Sequence, residues 1–312
     1  MRFNKTVLIL LLIEGAFAGP VRGLAAQAQG PTAEAATPKA ANEEEGVPQK
    51  AGEIGKRLGS RIPITNSMLV SWVVAAGLIV LSRRAMRNAK EIPDGTQNFW
   101  EWMVESLYTF LEGIIGSKLV KKTFWFFATV FIFILFCNWV GLFPFFGTIG
   151  WGHQTEHGFR VTEPLLRAPN ADLNMTLAMA LVFFACWTVW ALQAHGPMGF
   201  LLHMFAPKGD TTGALKVLMI VVFFAVGVLE IVSILFRPVS LSFRLYGNIF
   251  AGDNMLEAMS SLIPGLGWLL PIPFYFMELL VGVVQALVFM LLTSVFTMLI
   301  CEEEEGHARA HH

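Results

Sequence analysis

LKVLMIVVFFAVGVLEIVSILFRPVSLSFRLYGNIFAGDNMLEAMSSL, running from Leu215 to Leu262, decides the fold. It is far longer than the roughly 20 apolar residues a bilayer requires, so it crosses steeply tilted or it bends, with Pro238 as the candidate bend. Among its aliphatic and aromatic residues stand Glu230, Arg237, Arg244, Asn248 and Asp253, and the next apolar stretch, Trp268 to Ile300, adds Glu278 and Gln285. A charge near the bilayer centre costs about 2.5 kcal/mol or more, so ionisable groups there face protein or water and mark an ion pathway. On a continuous helix Asn248 lies one turn beyond Arg244, and Glu230 about four turns before it, close to the same face. Asp253 falls on roughly the opposite face, while Glu278 and Gln285, two turns apart, share a face of the last helix. No complete relay crosses the membrane in this set. Arginine stays protonated and is a poor proton carrier, so the carrying group is expected on a partner subunit, most simply a carboxylate.

The rest of the chain agrees with a membrane setting. Its 312 residues are 55% hydrophobic and 14% charged, with a mean hydropathy of +0.59, beyond the range of a soluble domain of this length. A formal net charge of -1 supplies no basic excess for phosphates, and no GxxxxGK[ST] loop occurs, so neither nucleic acid nor bound nucleotide is expected. Cys137, Cys186 and Cys301 sit in or beside apolar segments without disulfide or zinc spacing and read as packing residues.

Working outward, residues 1–28 have the form of a signal peptide: Arg2 and Lys5, an apolar run from Val7 to Leu12, and the small-x-small site Ala16-Phe17-Ala18. Glu14 interrupts the run and a second site lies at Ala26-Gln27-Ala28, leaving an uncleaved first helix as the alternative. Residues 29–60, rich in Ala, Pro, Gln and Glu, read as a disordered external tail. A first span from about Ile64 to Leu81 is followed by Arg83, Arg84, Arg87 and Lys90, a cytoplasmic flank, although Lys56, Arg57 and Arg61 stand on its other side. From Phe99 to Ile115 apolar residues recur at helical spacing (Phe99, Met103, Leu107, Phe110, Ile114) among Glu101, Glu105 and Glu112. This predicts an amphipathic surface helix that packs on protein rather than on anionic lipid. Lys118, Lys121 and Lys122 start a second span, Phe124 to about Phe146; an external loop runs to about Asp172. A third span, Leu173 to about Leu192, leads to a short loop bearing His195, His203 and Lys208. The fold class is therefore an all-α integral membrane protein of about five membrane helices, with a long tilted C-terminal hairpin and one surface helix. Glu302 to Glu305 and the terminal histidines read as a solvated tail over 303–312.

The run from Arg237 through Arg244 and Asn248 to Gly252 resembles the signature of subunit a of F-type ATP synthases. Asn138-Trp139-Val140-Gly141-Leu142-Phe143-Pro144 and Pro169-Asn170-Ala171-Asp172-Leu173-Asn174-Met175-Thr176 resemble two further stretches of that family. The likeness covers about Ile64 to Glu302, and the domain is placed at 61–302. What it implies is a stationary subunit, without a nucleotide site or cofactor of its own, held with b-type stator subunits in the rest of the enzyme against a ring of c subunits. Ions, protons or alternatively sodium, would pass through two half-channels to and from ring carboxylates in a bacterial cell membrane, with the N-terminus external and the C-terminus cytoplasmic. Carried over by position, Arg244 is the central residue, facing the ring carboxylate. Asn248, Asp253, Glu278 and Gln285 match the external half-channel, and Glu230 matches a carboxylate of the cytoplasmic side. The position of Asp253 is often Glu in the family and that of Glu278 is His in some members. Two acids facing one cavity repel unless a cation sits between them, and a sodium ion is one such cation.

Arg237 reads as structural, its long side chain reaching polar surroundings or a neighbour. His153, Glu156 and His157 lie in the external loop without a clear fourth ligand and read as solvated. A secondary transporter would show internal repeats, which are not seen, and a structural anchor would leave the intramembrane charges without a purpose.

Overall fold

The computed structural model describes residues 65–143, 149–155, 158–205, 214–263 and 266–309; the expected signal peptide and the whole of the tail expected over 29–60 lie outside them. Helix α1, Asn66–Ala85, is capped by Thr65, whose hydroxyl accepts from the Met68 amide at 3.3 Å, and ends on Arg83 and Arg84, where cations suit the helix dipole. Helix α2 spans Gly95–Gly141 but is interrupted at Gly116, whose φ of 77° is open to glycine at little cost. The amphipathic segment forms its first half. Ring pairs Tyr108–Phe124 at 5.1 Å and Trp100–Phe136 at 6.5 Å place the two halves side by side and antiparallel. The segment thus packs on protein, as its acidic polar face predicts, but its buried stripe is Trp100, Met103, Leu107, Leu111 and Ile115. Phe99 and Phe110, expected on that stripe, are exposed, because the contact line shares Met103 and Leu107 with the one read in the sequence but lies one residue further on at its two ends.

The expected external loop contains an antiparallel hairpin, β1 (Gly150–Thr155) and β2 (Gly158–Pro164), with a register shift at Trp151/Gly152. A 3-10 turn, Pro169–Ala171, leads into α3, Leu173–Phe205. Helix α3 does not stop near Leu192. It continues to Gly196 (φ 69°), where the chain turns and resumes as helix from Pro197, so His195 is helical rather than in a loop. Pro197 suits that restart because its missing N–H falls in a first turn. Helices α4, Ala214–Ser261, and α5, Ile272–Arg309, complete the chain, and α5 carries the backbone of Glu302 to Glu305 as helix, beyond the expected tail boundary.

Among the described residues, five helices are long and apolar enough to cross a membrane. With 48 residues, α4 is about 70 Å long, over twice the hydrocarbon thickness, and it runs through Pro238 without ending there. Its most apolar window is only 11% buried, against 67% for that of α2, so α4 offers an outer face to lipid or to a partner. The core lies among α1, α2, α3 and the inner faces of α4 and α5, with Phe126, Phe127, Phe133, Phe183 and Phe289 fully enclosed. Cys137 is buried in it and Cys186 and Cys301 pack against it, the packing role read from the sequence.

Candidate ion pathway

Polar side chains inside the helix assembly are hydrogen-bonded, as an apolar surrounding requires; Thr129, Thr293 and Thr297 bond within their own helices, and a second set bonds between elements. Asn138 on α2 donates to the Gly282 carbonyl at 3.0 Å and accepts from Asn170 Nδ2 at 2.6 Å; Trp139 Nε1 donates to the Leu279 carbonyl at 3.4 Å. These bonds fix the first half of α5, and with it Glu278 and Gln285, against α2 and the 3-10 turn. Ser67 on α1 donates to Asp172 at 2.5 Å, and Asp172 also accepts from the amide and the side chain of Asn174, both at 3.0 Å, capping α3. The hydroxyls of Thr176 and Ser242, 3.0 Å apart, tie α3 to α4. At the opposite end His195 Nε2 meets the Ile300 carbonyl at 2.5 Å and Trp187 Nε1 donates to the Phe296 carbonyl at 3.1 Å, joining α3 to α5.

On this frame α4 sorts its polar residues by direction. Arg244 is exposed, beside the exposed apolar side chains Val239 and Phe243, and among the described residues it forms no hydrogen bond, ion pair or ring contact. Asp253, half a turn away by helical phase, points into the molecule, within electrostatic range of Glu278 and Glu257. Glu278 and Gln285 are only 6% and 4% exposed, which puts both carboxamide and carboxylate in protein rather than lipid. Asn248 donates to Gln285 Oε1 at 2.8 Å, bridging α4 and α5 one turn beyond Arg244. Four of the residues read from the sequence, Asn248, Asp253, Glu278 and Gln285, are thus brought together on one α4–α5 seam. Glu230 is not among them. It lies two turns before Arg237, within electrostatic range of that guanidinium, which stacks 4.6 Å from the Phe296 ring and 5.7 Å from that of Trp187. Arg237 is held as a packed cation–π group, the structural role its sequence position predicts.

Gly252 is needed where it stands because the Glu278 carboxylate occupies the space a β-carbon would take. We expect Gly252→Ala to assemble normally, since the far end of a flexible side chain can yield at a cost of about 1 kcal/mol, yet to lower ion pumping several-fold by displacing that carboxylate. Shortening the acid with Glu278→Asp in the same chain should recover part of the loss. The check is ATP-driven pumping in vesicles at matched complex content. Full activity in Gly252→Ala alone would show that the placement of the carboxylate does not matter.

Two residues here escaped the sequence reading as site residues. Asp172 and Arg167 precede α3 and read there as loop residues, yet both are 4% exposed. Arg167 Nη2 donates to the Ala171 carbonyl at 3.0 Å. Burial lowers its pKa below the ordinary arginine value, an effect opposed by the charges of Asp172 and Asp253. Even so, a guanidinium remains protonated in a protein. The signal that could have found it is its place two residues before Pro169, where a stretch resembling a known pattern begins.

Comparison with known proteins agrees over the same region. A family model described as ATP synthase A chain matches residues 68–298. The ATP synthase subunit a of Gloeobacter violaceus is 31% identical over 261 residues, 82% of this chain and 94% of that protein. That of Mycobacterium bovis is 30% identical over 246 residues, 78% and 90% of the two chains. A subunit a of Propionigenium modestum, described as sodium ion specific, is 31% identical over 238 residues, 75% and 73% of the two.

Proposed function

Because the chain belongs to the ATP synthase A chain family and is a multi-pass, ion-translocating subunit of the F-type ATP synthase membrane sector, we propose the following division of labour. Arg244 is the fixed charge that faces the ion-binding carboxylate of a rotating c-subunit ring. Asp253, Glu278, Asn248 and Gln285 line the external half-channel, and Glu230 serves the cytoplasmic one. The observation that carries this reading is the split of α4: an exposed guanidinium in an apolar outer face, and a carboxylate turned inward on the same helix. An exposed arginine on a membrane span needs a partner anion, and a ring carboxylate passing that face supplies one for part of each turn. The inward acids supply the polar path by which ions reach it.

The ends of the helices support an orientation. Arg83, Arg84 and Arg87 close α1, and Lys118, Lys121 and Lys122 follow the Gly116 turn, which favours a cytoplasmic position for both. The N-terminal end of α1, bonded to Asp172, is then external, the end of α5 is cytoplasmic, and the membrane is the bacterial cell membrane. Residues 61–302 form the membrane domain, with a signal peptide over 1–28, an external tail over 29–60 and a cytoplasmic tail over 303–312. A stationary subunit must also be held against the torque of the ring, the task of b-type stator subunits.

The test is chemical access. Cysteines at positions 253 and 278, in an assembled and active complex, should react with small hydrophilic thiol reagents added from the external side. Resistance of both positions would remove the external half-channel from this seam.

A further inference from the structure

The half-channel reading leaves several acids close together, and like charges at short range repel unless a cation lies beside them. The 3-10 turn supplies one. Ala168 and Ala171 pack against Ile249 on α4, one turn before Asp253, and the Arg167 side chain folds over that turn to donate to the Ala171 carbonyl at 3.0 Å. Asp172, next in the chain, is saturated by Ser67 and Asn174 and holds the turn in place. The Glu278 carboxylate lies against Gly252 from the other side. We propose that Arg167 is a positioning residue of the external half-channel: a built-in countercharge, delivered by the 3-10 turn, that lets the Asp253–Glu278 pair pass an ion without a resident metal cation between them. The titratable groups that act on it are Asp172 on its own segment and Asp253 and Tyr246 on α4; Asp253 in turn faces Glu278 on α5 and Glu257 on α4.

This rests on the half-channel reading, and the experiment separates the two. Arg167→Gln, Arg167→Lys and the charge-balanced pair Arg167→Gln with Asp172→Asn are made in the full complex, and ATP-driven proton pumping is followed against external pH at matched complex content. Carboxylates that lose a neighbouring cation hold their protons more tightly, so Arg167→Gln should pump about ten-fold less at neutral pH, with its pH profile displaced upward by roughly one unit. Arg167→Lys keeps the charge and should keep the profile. The double variant should not recover, because Asp253 still lacks its countercharge. An unshifted profile in Arg167→Gln, or recovery in the double variant, overturns the proposal, the latter by reducing Arg167 to a structural partner of Asp172. Should Arg167→Gln fail to assemble, Arg167→Lys decides: a profile displaced despite the retained charge is the contrary result. External labelling of cysteines at 253 and 278 is measured in the otherwise unaltered complex. Its failure removes the half-channel itself, whereas normal labelling with an unshifted profile removes only the role of Arg167.

Discussion

Arg244→Ala and Arg244→Gln complexes should assemble in normal amount and lose ATP-driven ion pumping, by about a thousandfold. At an effective dielectric of about 20, opposite charges about 4 Å apart attract by roughly 4 kcal/mol, a factor on the order of a thousand in the population of the ionised ring carboxylate. Arg244 lies on the outer face of α4 and among the described residues forms no hydrogen bond or ion pair, so its loss removes no bond that holds the fold. On the proposed mechanism the same fixed charge bars ions from crossing directly between half-channels, so its removal should open a passive leak. Arg244→Lys keeps a charge but loses the planar fork and can deprotonate away from water, so it should also be severely impaired. Pumping measured as vesicle acidification, with complex content matched by immunoblot, gives the comparison. Near-normal coupled pumping in Arg244→Ala would leave the proposed mechanism without its central charge.

The second large effect is expected from the seam. Asp253→Asn or Glu278→Gln alone should slow pumping several-fold, because the remaining acid, with water, Asn248 and Gln285, still delivers ions. The double replacement should slow it by at least about a hundredfold, more than the product of the single effects, as groups in direct electrostatic contact couple by about 1–3 kcal/mol. Single effects that simply multiply would mean that the two acids act in separate places. Neither single replacement should equal the loss of Arg244.

Much of this was legible in the sequence because it depends on hydropathy and helical phase. Helix α4 falls within one residue of the boundaries read from the apolar run, and the opposition of Arg244 and Asp253 follows from their spacing at 3.6 residues per turn. The pairing of Asn248 with Gln285 needed the relative placement of two helices, which periodicity along one chain cannot give. The turns at Gly116 and Gly196 were missed because glycine within an apolar or amphipathic pattern is silent until its φ is known. At Gly116 the reversal lays the amphipathic segment along the following span, and this tertiary contact selects Trp100, Leu111 and Ile115 over Phe99, Phe110 and Ile114 beside the shared Met103 and Leu107. Arg167 was missed for a different reason: an arginine between two apolar segments looks solvated, and only the packing of the 3-10 turn on α4 shows that it is enclosed.

The central claim is that the face of α4 carrying Arg244 meets the ring at its ion-binding carboxylate, and proximity tests it without relying on activity. Ser240 is exposed one turn before Arg244, whereas Ser242 is buried against Thr176. A cysteine is placed in the c subunit one helical turn from its carboxylate, and each complex is treated with a mild oxidant. The account predicts a disulfide with Ser240→Cys, whose outward side chain can bring the β-carbons to about 4 Å, and none with the near-isosteric Ser242→Cys. No cross-link at position 240, or one at 242 alone, would contradict it.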